Sequence, residues 1–122
     1  MNRDMDLIRR IALETADAPH GKRLDKLDGV DPNDFALHVI WMDEAGLVKA
    51  QIFQPISGRV SATVLRLTWD GCEFVDAVRS DTLWNKAKDN VIKPAGSFTF
   101  GILRDWIKTE ITQGLPTLRG LG

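Results

Sequence analysis

The segment from Asp31 to Gly46 constrains the fold most, because both of its ends are written in residue types that start and stop helices. Asp31 is an N-cap type, and Pro32 suits the first helical position, where its missing N–H costs nothing. The pattern predicts a helix from there to Glu44 or Ala45, with Gly46 as its stop. The chain then changes period. Leu47 to Gln54 reads as a strand in which Val48, Ala50 and Ile52 alternate with Lys49 and Gln51. Val60 to Thr68 reads as a second, in which Thr63, Leu65 and Leu67 alternate with Val64 and Arg66. Pro55-Ile56-Ser57-Gly58 supplies turn residues between them, so the pair predicts a β-hairpin with Gly58-Arg59 as the tip of a wing.

The flanking segments complete an order of elements. Asp4 or Asp6 can start a first helix in which Leu7, Ile8, Ile11, Ala12 and Thr15 recur at helical spacing, with Arg9, Arg10 and Glu14 facing away. Ala18-Pro19-His20-Gly21 ends it. Lys22 to Val30 alternates loosely through Leu24, Leu27 and Val30, as a short strand would. Thr68 caps a further helix through Phe74, Ala77 and Val78, which Ser80-Asp81 either breaks or carries on its outer face. Trp84, Ala87 and Val91 continue the apolar stripe. Pro94-Ala95-Gly96 is a break. Thr99 caps a last helix, Phe98 staples onto Leu103, and Leu103, Trp106, Ile107 and Ile111 form its buried face. The Gly-rich tail after Gly114 is expected to fray. The fold class is α+β: a winged-helix-like core of helix, short strand, helix and β-hairpin wing, with two additional C-terminal helices. Residues 1–122 read as a single domain, with the core over about 3–79 and the helical extension over about 80–113. One usual element is missing. Between Gly21 and Asp31 there is little room for the helix that precedes a recognition helix.

At 122 residues the chain can bury a single real core. Its apolar fraction of 43% and charged fraction of 27% are ordinary for a globular protein and exclude a disordered one. The formal charge of −1 removes the basic excess usual in a dedicated nucleic-acid binder but leaves room for a local patch. Cys72 is the only cysteine, so no intramolecular disulfide is expected. The polar start Met1-Asn2-Arg3-Asp4-Met5-Asp6 is no signal peptide, and no stretch is long enough to span a bilayer. A cytoplasmic protein is the expectation.

Two short motifs and one longer run look familiar. Asp43-Glu44-Ala45-Gly46-Leu47-Val48 resembles the "EAGLI" end of recognition helices in winged-helix regulators. Arg66-Leu67-Thr68-Trp69-Asp70-Gly71-Cys72-Glu73-Phe74 resembles the "LTxxGxxF" signature that closes their wing. More closely, the chain resembles a bacterial and phage family known only as a domain of unknown function. Arg3-Asp4-Met5-Asp6-Leu7-Ile8-Arg9 matches the opening of its members. His38 stands where they carry a His in the second helix, and Arg79-Ser80-Asp81-Thr82-Leu83-Trp84-Asn85-Lys86 follows the wing as theirs does. The match runs from Arg3 to about Ile111. It implies a winged-helix-like fold and a frequent prophage setting, and it brings no activity and no functional residues.

The candidate sites follow from the Asp31–Ala45 helix. Phe35, Val39 and Met42 form its core-facing stripe. The opposite face, where a DNA reader would offer Arg, Lys, Asn, Gln or Ser, holds Leu37, Ile40 and Trp41 with Asp34 and Glu44 nearby. Such a face is expected to be covered by the C-terminal helices or by a protein partner. Arg59 and Arg66 of the wing, with Lys22, Arg23, Arg9 and Arg10, are the residues a nucleic acid would touch. His20 reads as an exposed turn residue, His38 as a hydrogen-bonded packing residue, and Cys72 as small and half-buried. No ligand spacing such as CxxC or HExxH is present, so no metal, cofactor or catalytic residue is expected, and no small-molecule substrate is evident. The four tryptophans, Trp41, Trp69, Trp84 and Trp106, read as core and interface anchors. The expectation is a non-enzymatic protein-interaction module of phage or prophage type. It would self-associate or modulate a host protein through Leu37, Ile40, Trp41, Trp84 and Trp106. The alternative is a DNA-binding transcriptional regulator using the wing and its basic residues. A protein partner or homodimer stands ahead of DNA, and no membrane partner is expected.

Overall fold

The structure is a computed structural model that describes residues 2–56, 58–92, 105, 106 and 109. Its order is α1 (Met5–Asp17), α2 (Pro32–Glu44), β1 (Val48–Phe53), β2 (Ser61–Leu67), α3 (Trp69–Val78) and α4 (Asp81–Ala87), followed by a π-helical turn over Lys88–Ile92. These helices and the two-stranded antiparallel hairpin make an α+β arrangement consistent with a winged-helix-like core. The chain divides into two compact units, Met1–Val75 and Asp76–Gly122, so the division falls inside α3, just before the Arg79–Ser80 boundary read from sequence.

The first two helices begin at acidic caps. Asp4 Oδ1 accepts the backbone N–H groups of Asp6 at 3.0 Å and Leu7 at 3.2 Å, which settles the start of α1 on Asp4. Ile8, Ile11 and Ala12 form its buried stripe. Asp31 caps α2 by accepting from the Asn33 N–H at 2.8 Å, with Pro32 at the first helical position. The far end of α2 is a Schellman turn. Gly46, at φ +79°, donates to the Asp43 carbonyl at 3.1 Å, and Leu47 donates to the Met42 carbonyl at 2.9 Å. Met42 and Leu47 are both buried, giving the apolar contact that accompanies such a turn.

The hairpin starts at that turn. β1 pairs with β2 from Val48↔Leu67 to Phe53↔Ser61. Lys49 faces Arg66 and Ala50 faces Val64, so Leu65 is an extra residue in β2, a β-bulge. The bulge corrects the even alternation expected for β2. Ala62 and Val64 are the buried residues, while Thr63, Leu65 and Leu67 are half-buried. A strict period of two cannot survive an inserted residue. The short strand expected over Lys22–Val30 is reduced to one bridge, Leu24↔Val64, closed by bonds of 3.1 and 2.8 Å. A turn from Leu27 to Val30 follows, and the described residues between Gly21 and Asp31 contain no helix.

Thr68 joins the exit of α2 to the entry of α3. Its backbone N–H donates to the Leu47 carbonyl at 3.0 Å, and its hydroxyl donates to the Gly46 carbonyl. The same hydroxyl accepts the Gly71 N–H at 3.0 Å, capping α3. Gly71 is buried against this junction. A Cβ placed there would overlap the Leu47 carbonyl oxygen, lie 3.0 Å from its carbon and 3.2 Å from Leu67 Cδ2.

In the second unit α3 ends at Val78, and Ser80 opens a new helix by accepting the Leu83 N–H on its hydroxyl at 3.2 Å. Ser80-Asp81 therefore breaks the helix. Val78, Trp84 and Ala87 are buried. Trp106 is helical and half-buried. The Pro94-Ala95-Gly96 break, Phe98, Thr99, Leu103, Ile107, Ile111 and the tail after Gly114 lie outside the described residues.

These contacts give opposite expectations to helix propensity at Gly71. Alanine gains about 1 kcal/mol over glycine within a helix, but overpacking against backbone that cannot move costs about 3 kcal/mol. Gly71→Ala is therefore expected to lower unfolding free energy by about 2 kcal/mol in denaturant titration. Thr68→Val, which loses the cap and the hydroxyl bridge, is expected to cost about 1–2 kcal/mol.

Candidate functional site

α2 is apolar on every side, and its sides differ in how well they are covered. Phe35, Val39 and Met42 are buried as expected, joined by Ala36 and His38. Leu37, Ile40 and Trp41 are only half-buried. Leu37 and Ile40 form the apolar wall of an open pocket of about 270 Å³, completed by Val60 and Gln54 from the wing and Asn33 from the first turn of α2. The pocket thus lies between α2 and the wing, on the surface with which a winged helix would meet DNA. Among the described residues it offers aliphatic carbon with two neutral amides, Asn33 and Gln54, and no cation. That chemistry accepts an apolar side chain, and the two rim amides can hydrogen-bond a peptide backbone; the Leu37–Ile40 wall itself has no group for the bidentate contacts that read base edges.

Trp41 stands beside this wall, its ring centroid 5.1 Å from that of His38 in an edge-on arrangement. His38 is the buried polar residue of the described core. Its Nε2 accepts the backbone N–H of Asp4 at 2.9 Å, so the ring proton sits on Nδ1, which donates to the Asp34 carbonyl at 2.7 Å. Both ring nitrogens are satisfied, as the packing reading of His38 requires. His38 fixes the first residues of α1 to α2, and neither nitrogen is available to a ligand.

The remaining candidates differ in exposure. Trp84 is buried, with 2% of its surface exposed, and so is unavailable to a partner in this arrangement. Trp69 is exposed and donates its indole N–H to Glu73 at 3.1 Å. Arg9 and Arg10 lie half-buried on α1, and Arg10 pairs with Glu14 at 3.3 Å, an exposed i,i+4 pair worth little to stability. Lys22, Arg23, Arg59 and Arg66 are exposed. The structure brings Arg23 to the hairpin, where its guanidinium reaches Gln51 at 3.5 Å. Arg66 donates to the neighbouring Leu67 carbonyl at 3.0 Å. His20 is exposed. Cys72 is exposed too, a correction to its half-buried reading: it falls on the solvent side of α3, while Gly71 and Phe74 face inward.

Among the described residues no group of three His, Cys, Asp or Glu side chains could hold a metal ion. A second open pocket, of about 340 Å³, is lined by Asp4, Asp6, Asp31, Asp34 and Arg10 near the starts of α1 and α2. Two of its four acids, Asp4 and Asp31, cap their helices, and Arg10 turns to Glu14. Among the described residues no helix is long and apolar enough to cross a membrane. Sequence reasoning missed the exposed apolar residues of the wing, Ile52, Phe53 and Ile56. The run Ile52-Phe53-Gln54-Pro55-Ile56 carried the signal, because apolar residues beside a Pro-containing turn fall beyond the reach of the packed helices.

The profile of a family described as "Hypothetical protein (DUF2513)" matches residues 2–97. An uncharacterized protein of Haemophilus influenzae is similar at 30% identity over 118 residues, covering 94% of this chain and 99% of the relative's length. No solved structure matches.

His38→Phe preserves the ring volume and the contact with Trp41 but leaves the Asp4 N–H without its acceptor. The variant is expected to lose about 1–3 kcal/mol of stability. Amide exchange should quicken at Asp4 and the first turn of α1 before the rest of the chain, and uniform exchange would show that the bond does not anchor that helix.

Proposed function

The chain belongs to the DUF2513 family of hypothetical proteins, and from that premise we propose that it works as a protein-interaction module docking its partner in the groove between α2 and the wing. The observation that carries this reading is the pocket walled by Leu37, Ile40 and Val60. Half-buried aliphatic side chains around a concavity gain stability when a partner side chain excludes water from them, at roughly 25 cal/mol per Å² of apolar area. The neutral rim of Asn33 and Gln54 adds orientation without a desolvation cost as high as that of charge. Ile56, fully exposed on the wing beside this pocket's Gln54, extends the apolar surface a partner could cover.

The partner in this reading is a protein segment presenting an apolar anchor, either from a second copy of the chain or from a host protein. A host protein would suit the prophage setting that the sequence resemblance implies. The DNA-regulator reading stands behind it, because Leu37 and Ile40 occupy the positions from which a recognition helix would address bases. The described residues present no catalytic constellation, and the proposed role is non-enzymatic.

A photo-crosslinking residue at Asn33, on the exposed rim, tests the proposal in cells. The expected result is a discrete protein adduct, of twice the chain's mass if the partner is a second copy. The adduct should disappear when Leu37→Asp and Ile40→Asp are added to a chain that still unfolds cooperatively. An Asn33 probe that yields no protein adduct, or one indifferent to those two substitutions, would sink the reading.

A further inference from the structure

The solvent face of the hairpin carries a different chemistry from the groove. Lys49, Gln51 and Phe53 stand two residues apart along β1 and so share one face, opposite Val48, Ala50 and Ile52. Their partners Arg66, Thr63 and Ser61 stand on the same face of β2. Arg23 is added from outside the hairpin, held by the Leu24↔Val64 bridge and reaching Gln51 at 3.5 Å. Three cations and an aromatic ring with 67% of its surface exposed are thereby gathered on one face.

This arrangement works against folding. Lys49 and Arg66 are directly opposed, and like charges at opposed positions repel. Among the described residues neither they nor Arg23 form an ion pair, and Asp25, which follows Leu24, pairs with none of them. Phe53 adds nothing to the core, and an exposed aromatic at a strand end is an association liability. Cations that repel one another around an open ring lose that cost when a polyanion with flat, stackable groups lies across them.

We propose that this face binds single-stranded nucleic acid, with Lys49, Arg66 and Arg23 contacting phosphates and Phe53 stacking a base. Side chains recurring about every 7 Å along β1 suit an extended strand laid along the hairpin. The binding is sequence-tolerant, because charge attraction and stacking distinguish bases weakly. A single strand is favoured over a duplex because the exposed ring needs an unpaired base to stack on. The chain's net charge of −1 hides the patch, since its carboxylates lie mostly on other elements. The inference is independent of the protein-docking groove, which faces α2.

Fluorescence anisotropy with the full chain and a labelled oligothymidine of about fifteen nucleotides tests it. At low salt the oligonucleotide is expected to bind, and more tightly than a mixed-sequence duplex of equal length. Phe53→Ala is expected to weaken binding roughly tenfold or more. Lys49→Gln and Arg66→Gln should each make the salt dependence shallower by about 0.7 in logarithmic slope. Lys86→Gln, an equal loss of charge in the second unit, should change nothing. No binding at low salt, wild-type binding by Phe53→Ala, or a preference for the duplex would each overturn the proposal.

Discussion

The clasp between Gly46–Leu47 and Thr68–Gly71 holds the first unit together. A Schellman turn pairs the last helical carbonyls with the N–H groups that follow them, and the carbonyls of the turn itself must find donors elsewhere. In this chain the carbonyls of Gly46 and Leu47 find them on a single residue twenty-odd positions away, whose N–H and hydroxyl serve one each. Thr68 at the same time supplies the cap of α3. The end of one helix, the open end of the hairpin and the start of the next helix are thus one hydrogen-bonded object. Gly71 is there because the Leu47 carbonyl approaches closer than any Cβ would permit. The position of the wing relative to α2, and with it the groove, follows from this junction.

Much of this was legible in the sequence, because caps are local. Asp31-Pro32, Gly46 and Thr68 announce helix ends by residue type alone, and all of them act as read. The outward placement of Leu37 and Ile40 follows from helical period once Phe35, Val39 and Met42 are set inward. What depends on pairing was not legible. The Leu65 bulge shifts the inward positions of β2, and no count along one strand reveals that its partner is a residue shorter. Leu24 forms a bridge, not a strand, because only its own N–H and carbonyl meet Val64. Arg23 was named as a basic residue, but its arrival beside Gln51 is a long-range event. Trp84 read as an interface anchor because tryptophan suits both surface and core, and only its burial decides between them.

The hairpin consequently has two faces with opposite duties. Val48, Ala62 and Val64 face the helices and are buried. Lys49, Arg66 and Phe53 face solvent and contribute nothing to that core. α2 divides similarly, with a packed side and a partly open one. On that partly open side the aliphatic Leu37 and Ile40 stand beside Val60 of the wing, and the described residues between Gly21 and Asp31 hold no helix.

The same clasp determines where the chain can change length. At the base of the wing, spacing is locked: an added residue between Leu67 and Thr68 would pull the threonine off both carbonyls at once. Among the described residues between Gln54 and Val60 there is no comparable tether, and the exposed side chains of Gln54, Ile56 and Arg59 support no part of the core. Variation among such proteins, natural or engineered, therefore has a preferred outlet. The tip can be lengthened, shortened or exchanged for another sequence while the base stays fixed, so the groove's outer wall can change in shape and chemistry without rebuilding the scaffold.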